Sequence, residues 1–92
     1  MHMEFEWNKD KAKANSTKHG VSFAEAKTVF DDSLFVEFYD PDHSDSEERY
    51  IIVGQSERGR LLIVLYTERN QKIRLISARE ATRLEKIAYE EG

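Results

Sequence analysis

The chain contains no cysteine. It therefore has no disulfide framework and no thiolate zinc site, and nothing in its cysteine usage places it outside the cell. No apolar run approaches the ~20 residues that a membrane helix needs. The charged start Met3-Glu4-Phe5-Glu6 is no signal peptide, and Met1-His2 ahead of Met3 reads as an appended dipeptide. The expected location is the cytoplasm. Also missing are a glycine-rich phosphate loop, a dinucleotide fingerprint and a nucleophilic serine or cysteine arrangement. The carboxylates from Asp40 to Asp45 lack the spacing of a calcium loop, and His19 and His43 fall in different segments. A protein without metal or cofactor is expected. Direct DNA binding by the chain alone is disfavoured by the acidic balance and by the lack of a helix-turn-helix pattern.

What is present is 92 residues without repeats or a low-complexity linker. That length predicts one domain over residues 1–92, burying roughly 60–65% of its unfolded surface around one thin core. The net charge of −4 hides a divided field. Between Ser33 and Glu48 lie Glu37, Asp40, Asp42, Asp45, Glu47 and Glu48, with no lysine or arginine. Between Arg58 and Arg79 lie six bases against the single acid Glu68, and Lys9, Lys11, Lys13 and Lys18 form a second basic group. Such a field suits a protein that meets an anion on one side and a basic partner on the other, or it is ordinary solvated charge.

Alternation in Glu4-Phe5-Glu6-Trp7 predicts a short strand. Asn8 can cap a polar helix over Lys9–His19, which Gly20 stops. Ser22-Phe23-Ala24-Glu25 is a capping box, and Phe23, Ala26, Val29 and Phe30 recur at helical spacing. Strands are predicted over Leu34–Tyr39, Tyr50–Gly54, Leu61–Thr67 and Ile73–Ser77, the last two joined by a turn at Arg69-Asn70-Gln71-Lys72. Ser77-Ala78-Arg79-Glu80 reads as a second capping box, opening a helix with a buried stripe of Ala81, Leu84, Ile87 and Ala88. The order β-α-α-β-β-β-β-α predicts an α+β fold, an antiparallel meander whose apolar face the helices cover.

Several residues could carry chemistry. Arginine binds phosphate oxygens in pairs and stays charged. Arg79 is expected in the first turn of the last helix, where a cation opposes the dipole and an anion would be welcome; it could equally bridge to Glu80 or Glu85. Arg49, Arg69 and Arg74 can converge at one end of the meander, with Arg79 nearer the other end, around Leu62. Lys18 and His19 close the first helix, as caps that complement its dipole or as proton donors and acceptors. Glu48 could be a base or the partner of Arg49. Trp7 is core, or an aromatic on which a base stacks.

Read in order, Phe5-Glu6-Trp7-Asn8, Lys18-His19-Gly20-Val21-Ser22-Phe23, Val29-Phe30-Asp31-Asp32 and Glu48-Arg49-Tyr50 resemble the BrnT family of toxins. So do Tyr66-Thr67-Glu68-Arg69 and Ile73-Arg74-Leu75-Ile76-Ser77-Ala78-Arg79, with Glu85 and Tyr89 beyond them. The resemblance implies the toxin half of a type II toxin–antitoxin pair, with a RelE-like fold. It implies a metal-independent endoribonuclease that uses 2′-hydroxyl attack and arrests growth. The implied partner is a BrnA-like ribbon-helix-helix antitoxin, in a heterotetramer that touches DNA only through the antitoxin. The implied catalytic set is Arg49, Arg69 and Arg79, with Lys18, His19 and Glu48 moving protons. Arg74, Lys72 and Trp7 would bind substrate. The acidic stretch Glu37 to Glu48 would repel off-target RNA or receive a basic antitoxin segment. The contrasting expectation is a non-catalytic module whose sheet accepts a partner strand or helix.

Overall fold

A computed structural model describes residues 3–41 and 47–91. The sequence readings placed on Asp42, His43 and Asp45 lie outside the described residues. The elements run β1 (Phe5–Glu6), α1 (Lys9–His19), α2 (Phe23–Thr28), a 3-10 turn (Val29–Asp31), β2 (Val36–Asp40), β3 (Arg49–Gln55), β4 (Leu61–Arg69), β5 (Lys72–Glu80) and α3 (Arg83–Glu91). The sheet order is β1-β5-β4-β3-β2. Strands β2 to β5 form the predicted antiparallel meander, and β1 joins its far edge parallel to β5. The β4–β5 hairpin turns through Asn70 and Gln71, both at positive φ, the backbone of a two-residue primed turn. Among the described residues, no helix is long and apolar enough to cross a membrane.

Helices α1 and α2 cover one face of the sheet. Asn8 Oδ1 accepts from Lys11 N at 3.0 Å to start α1, and Gly20 ends it at φ 68°. Ser22 Oγ accepts from Glu25 N at 3.0 Å to start α2. The carboxylate of Glu25 is taken up elsewhere, by Arg60 and by Ser56 Oγ at 2.7 Å, which ties α2 to the β3–β4 turn. Against these helices the sheet buries Ile52, Leu62, Val64, Tyr66, Leu75 and Ala78. Full burial of each large apolar side chain contributes roughly 1.5–3 kcal/mol. A series of ring contacts runs from Phe5 through Phe30, Tyr66 and Tyr50 to Tyr39. Gly54 lets the 3-10 turn approach β3: a Cβ there would lie 2.8 Å from Val29 Cγ1.

Helix α1 is almost wholly polar, and its one buried residue is Asn15. Asn15 Nδ2 donates to Ala78 O at 2.8 Å and to Val21 O at 3.0 Å, and Asn15 Oδ1 accepts from Ala78 N at 3.1 Å. One side-chain amide thus acts as a strand neighbour to β5 beyond the reach of two-residue β1. Just before Ala78 the strand is bulged: Leu65 faces Ser77, Tyr66 faces Leu75, and Ile76 is the extra residue.

The end of the chain differs from its sequence reading. Ser77 to Glu80 open no helix; they lie in β5, paired to Leu65 through Leu62, and Ala81 N continues the ladder to Leu61 O at 2.9 Å. The nine-residue apolar strand β4 needs a partner of equal length, and that demand outweighs a local capping pattern. The helix begins five residues later on an equivalent box, in which Thr82 N donates to Glu85 Oε1 at 2.8 Å and Glu85 N donates to Thr82 Oγ1 at 3.3 Å. The proposed stripe is not buried: Leu84 is 78% exposed, Ile87 44%, and no residue of α3 is buried. Helix α3 lies across the sheet face opposite α1 and α2.

Replacing Asn15 with alanine should strand the Ala78 N–H and two carbonyls inside the protein. We expect a loss of about 2–4 kcal/mol of unfolding free energy, read from urea denaturation. An unchanged midpoint would mean that the amide is not what joins α1 to β5.

Candidate active site

In an antiparallel sheet, directly paired residues share a face, and every second residue along a strand returns to it. Arg49 on β3 and Arg74 on β5 both pair with Thr67 on β4, and Arg69 lies two residues beyond Thr67. The three arginines therefore share the face turned away from α1 and α2. There they line a cleft of about 230 Å³ together with Asn8 and Lys11 from the start of α1, and Glu47. Arg69 Nη2 lies 2.8 Å from Glu47 Oε2, and Arg49 Nε lies 3.9 Å from Glu47 Oε1. Arg74 Nη1 donates to Glu6 Oε2 at 2.9 Å, from the adjoining strand. Four cationic side chains thus border one small cleft, Arg69 half-exposed and Arg49 and Arg74 partly buried. That arrangement can take a phosphodiester by paired, charge-assisted hydrogen bonds.

Arg79 stands apart. The bulge at Ile76 places it on the same face as Arg74, but it pairs with Ile63, four residues from Thr67 along β4. That separation is roughly 13 Å. It sits near the end of β5 rather than in the first turn of a helix, so the dipole argument for its site does not hold. Its guanidinium makes a two-pronged pair with Glu85 of α3, both bonds 2.8 Å. The pair raises the Arg79 pKa and holds the Glu85 carboxyl down at about 2. At the other end of α3, Tyr89 OH donates to Asp32 Oδ2 at 2.6 Å, which pushes the phenol up to about 12. Between these tethers α3 roofs a cavity of about 300 Å³ floored by Val36, Phe38, Ile51, Val53, Ile63 and Leu65.

The other nominated residues do not gather at the cleft. Lys18 and His19 end α1, whose first turn borders the cleft, and the seven and eight residues of helix beyond Lys11 put them roughly 10–12 Å farther along it. Glu48 turns to the helix-covered side, where its Oε2 accepts from Tyr50 OH at 2.9 Å; its backbone carbonyl accepts from Thr67 Oγ1. Lys72 pairs with Arg69 at the first position of β5 but does not line the cleft, and its Nζ lies 3.8 Å from Glu4 Oε2. Trp7 packs edge-on against Phe23 at 6.0 Å and joins the core. The residue that sequence reasoning missed is Glu47. Its signal was available in the alternation: counting back from Arg49, Glu47 shares the arginine face and Glu48 the opposite one.

The family model described as "Ribonuclease toxin, BrnT, of type II toxin-antitoxin system" matches residues 7–85. Among solved structures, the chain resembles the crystal structure of the Brucella abortus ribonuclease toxin BrnT, with a TM-score of 0.65 and 21% identity. The match covers 89% of this chain and 100% of that one, and at this identity it bears on the fold. No curated protein matches the sequence.

The Arg79–Glu85 pair gives α3 a pH-dependent tether. A carboxyl lowered from its ordinary 4.5 to about 2 stabilises the docked helix fully above pH 4.5, and that contribution is lost as pH falls towards 2. In an NMR titration the Glu85 side chain should have its midpoint near 2, and Arg79→Ala should return it towards 4.5. A wild-type midpoint already near 4.5 would contradict the pairing.

Proposed function

The chain belongs to the BrnT family of ribonuclease toxins of type II toxin–antitoxin systems, and from that premise we propose that its arginine cleft cuts RNA by attack of a ribose 2′-hydroxyl on the adjacent phosphate. The observation that carries this reading is the convergence of Arg49, Arg69 and Arg74, from three neighbouring strands, on one open cleft. In such a reaction the phosphorus passes through a crowded, doubly charged arrangement, and catalysis needs cations fixed where that charge develops. Guanidinium groups held by a sheet meet this need without a metal ion, because they are charged at all working pH values and their forks are preset. Lys11 and the start of α1 add positive potential beside them. The products are a 2′,3′-cyclic phosphate and a free 5′-hydroxyl. Arg79, farther along the same face, is assigned to a flanking part of the strand.

Membership of a type II family implies an antitoxin. In this reading the partner is a ribbon-helix-helix protein of the BrnA kind, forming a heterotetramer and making the contacts to DNA. The net charge of −4 supports leaving DNA to the partner. The antitoxin silences the enzyme while the two are bound.

Purified chain should cleave RNA in the presence of EDTA. Arg49→Ala, Arg69→Ala and Arg74→Ala, each verified as folded by circular dichroism, should each lower the cleavage rate by about 100-fold. Induced expression should arrest growth for the wild type and not for these variants. Intact RNA and unhindered growth with soluble, folded wild type would sink the ribonuclease reading and leave the sheet face as a binding surface.

A further inference from the structure

We infer that Glu47 is the catalytic carboxylate of the cleft, the group that takes the proton from the attacking 2′-hydroxyl. The inference rests on the ribonuclease reading above and adds a role that Lys18, His19 and Glu48 are too far away, or wrongly turned, to fill. A general base must reach the reacting hydroxyl while the neighbouring phosphate is held. Among the described residues lining the cleft, Glu47 is the sole carboxylate. It faces Arg49 from β3 and Arg69 from β4, with Arg74 from β5 and Lys11 from α1 on the same walls. The 2.8 Å bond from Arg69 Nη2 fixes the orientation of Glu47 and occupies one of the several N–H donors of that guanidinium. The remaining donors are available to a phosphate, so one arginine can position both the base and the group it acts beside.

A Glu47 oxygen accepts the 2′-hydroxyl proton as the 2′-oxygen bonds to phosphorus. The bond from phosphorus to the 5′-oxygen breaks, and that oxygen leaves with a proton from water. The cyclic phosphate remains on the upstream fragment, and Glu47 returns its proton to solvent.

The test compares wild type, Glu47→Gln and Glu47→Asp on one RNA oligonucleotide, with binding measured on its 2′-deoxy counterpart, which cannot be cut by this route. Glu47→Gln should lower kcat by at least about 100-fold. It should bind the 2′-deoxy oligonucleotide as well as wild type or more tightly, because one negative charge has gone. The fall of wild-type activity at acid pH should be absent from the residual activity of Glu47→Gln, and Glu47→Asp should recover part of the rate together with that fall. A purely structural Glu47 would instead weaken binding and thermal stability and leave the pH profile in place. Glu47→Gln cutting within a few-fold of wild type, with the same acid limb, would overturn the role of Glu47 while leaving the arginine cleft intact as the ribonuclease site. Wild type that cuts nothing would overturn both.

Discussion

Much of this structure depends on the single side-chain amide of Asn15. Helix α1 has almost no apolar surface with which to hold the sheet, so burial alone cannot set its position. The amide substitutes for a neighbouring strand, giving and receiving hydrogen bonds with the backbone of Ala78 and closing the loop at Val21. A buried amide satisfied on both sides is worth keeping, and one left half-satisfied is costly, so the geometry is effectively all or none. With α1 fixed there, its first turn arrives beside the ends of β3, β4 and β5. Asn8 and Lys11 border the arginine cleft for that reason.

The bulge at Ile76 works together with this lock. Along a regular strand, residues five apart fall on opposite faces. With one extra residue inserted, Leu75 and Ala78 both enter the core, and Arg74 and Arg79 both face outwards. The outward face then divides in two. One end is cationic and open, and the other is apolar, roofed by α3. The division explains how an acidic chain presents a cationic cleft. The excess of acid lies largely elsewhere, and within the cleft its representative is Glu47, already engaged with Arg69.

Most of the architecture was legible in the residues. The caps at Asn8 and Ser22, the stop at Gly20, the turn at Asn70 and the apolar runs of the four meander strands all reflect local rules that the tertiary structure obeys. The failures came where two rules competed. Ser77-Ala78-Arg79-Glu80 satisfies a capping pattern and also completes a strand, and only pairing with β4 decides between them. The stripe Ala81, Leu84, Ile87 and Ala88 has helical spacing, yet what α3 turns to the sheet is Glu85, Ala88 and Tyr89. Convergence of Arg49, Arg69 and Arg74 followed from hairpin register. The choice between Glu47 and Glu48 needed the strand to begin at Arg49, one residue earlier than the apolar pattern shows.

Helix α3 carries a consequence of a different kind. It contributes nothing to the buried core, and what ties it down is one carboxylate at its start and one phenol near its end, meeting Arg79 and Asp32. Selection can act on such an element at two points and leave the rest to drift. Descendants of this chain could therefore lengthen, recharge or replace the outer surface of the last helix without rebuilding the fold. That outer surface belongs to the helix that roofs the apolar half of the outward sheet face.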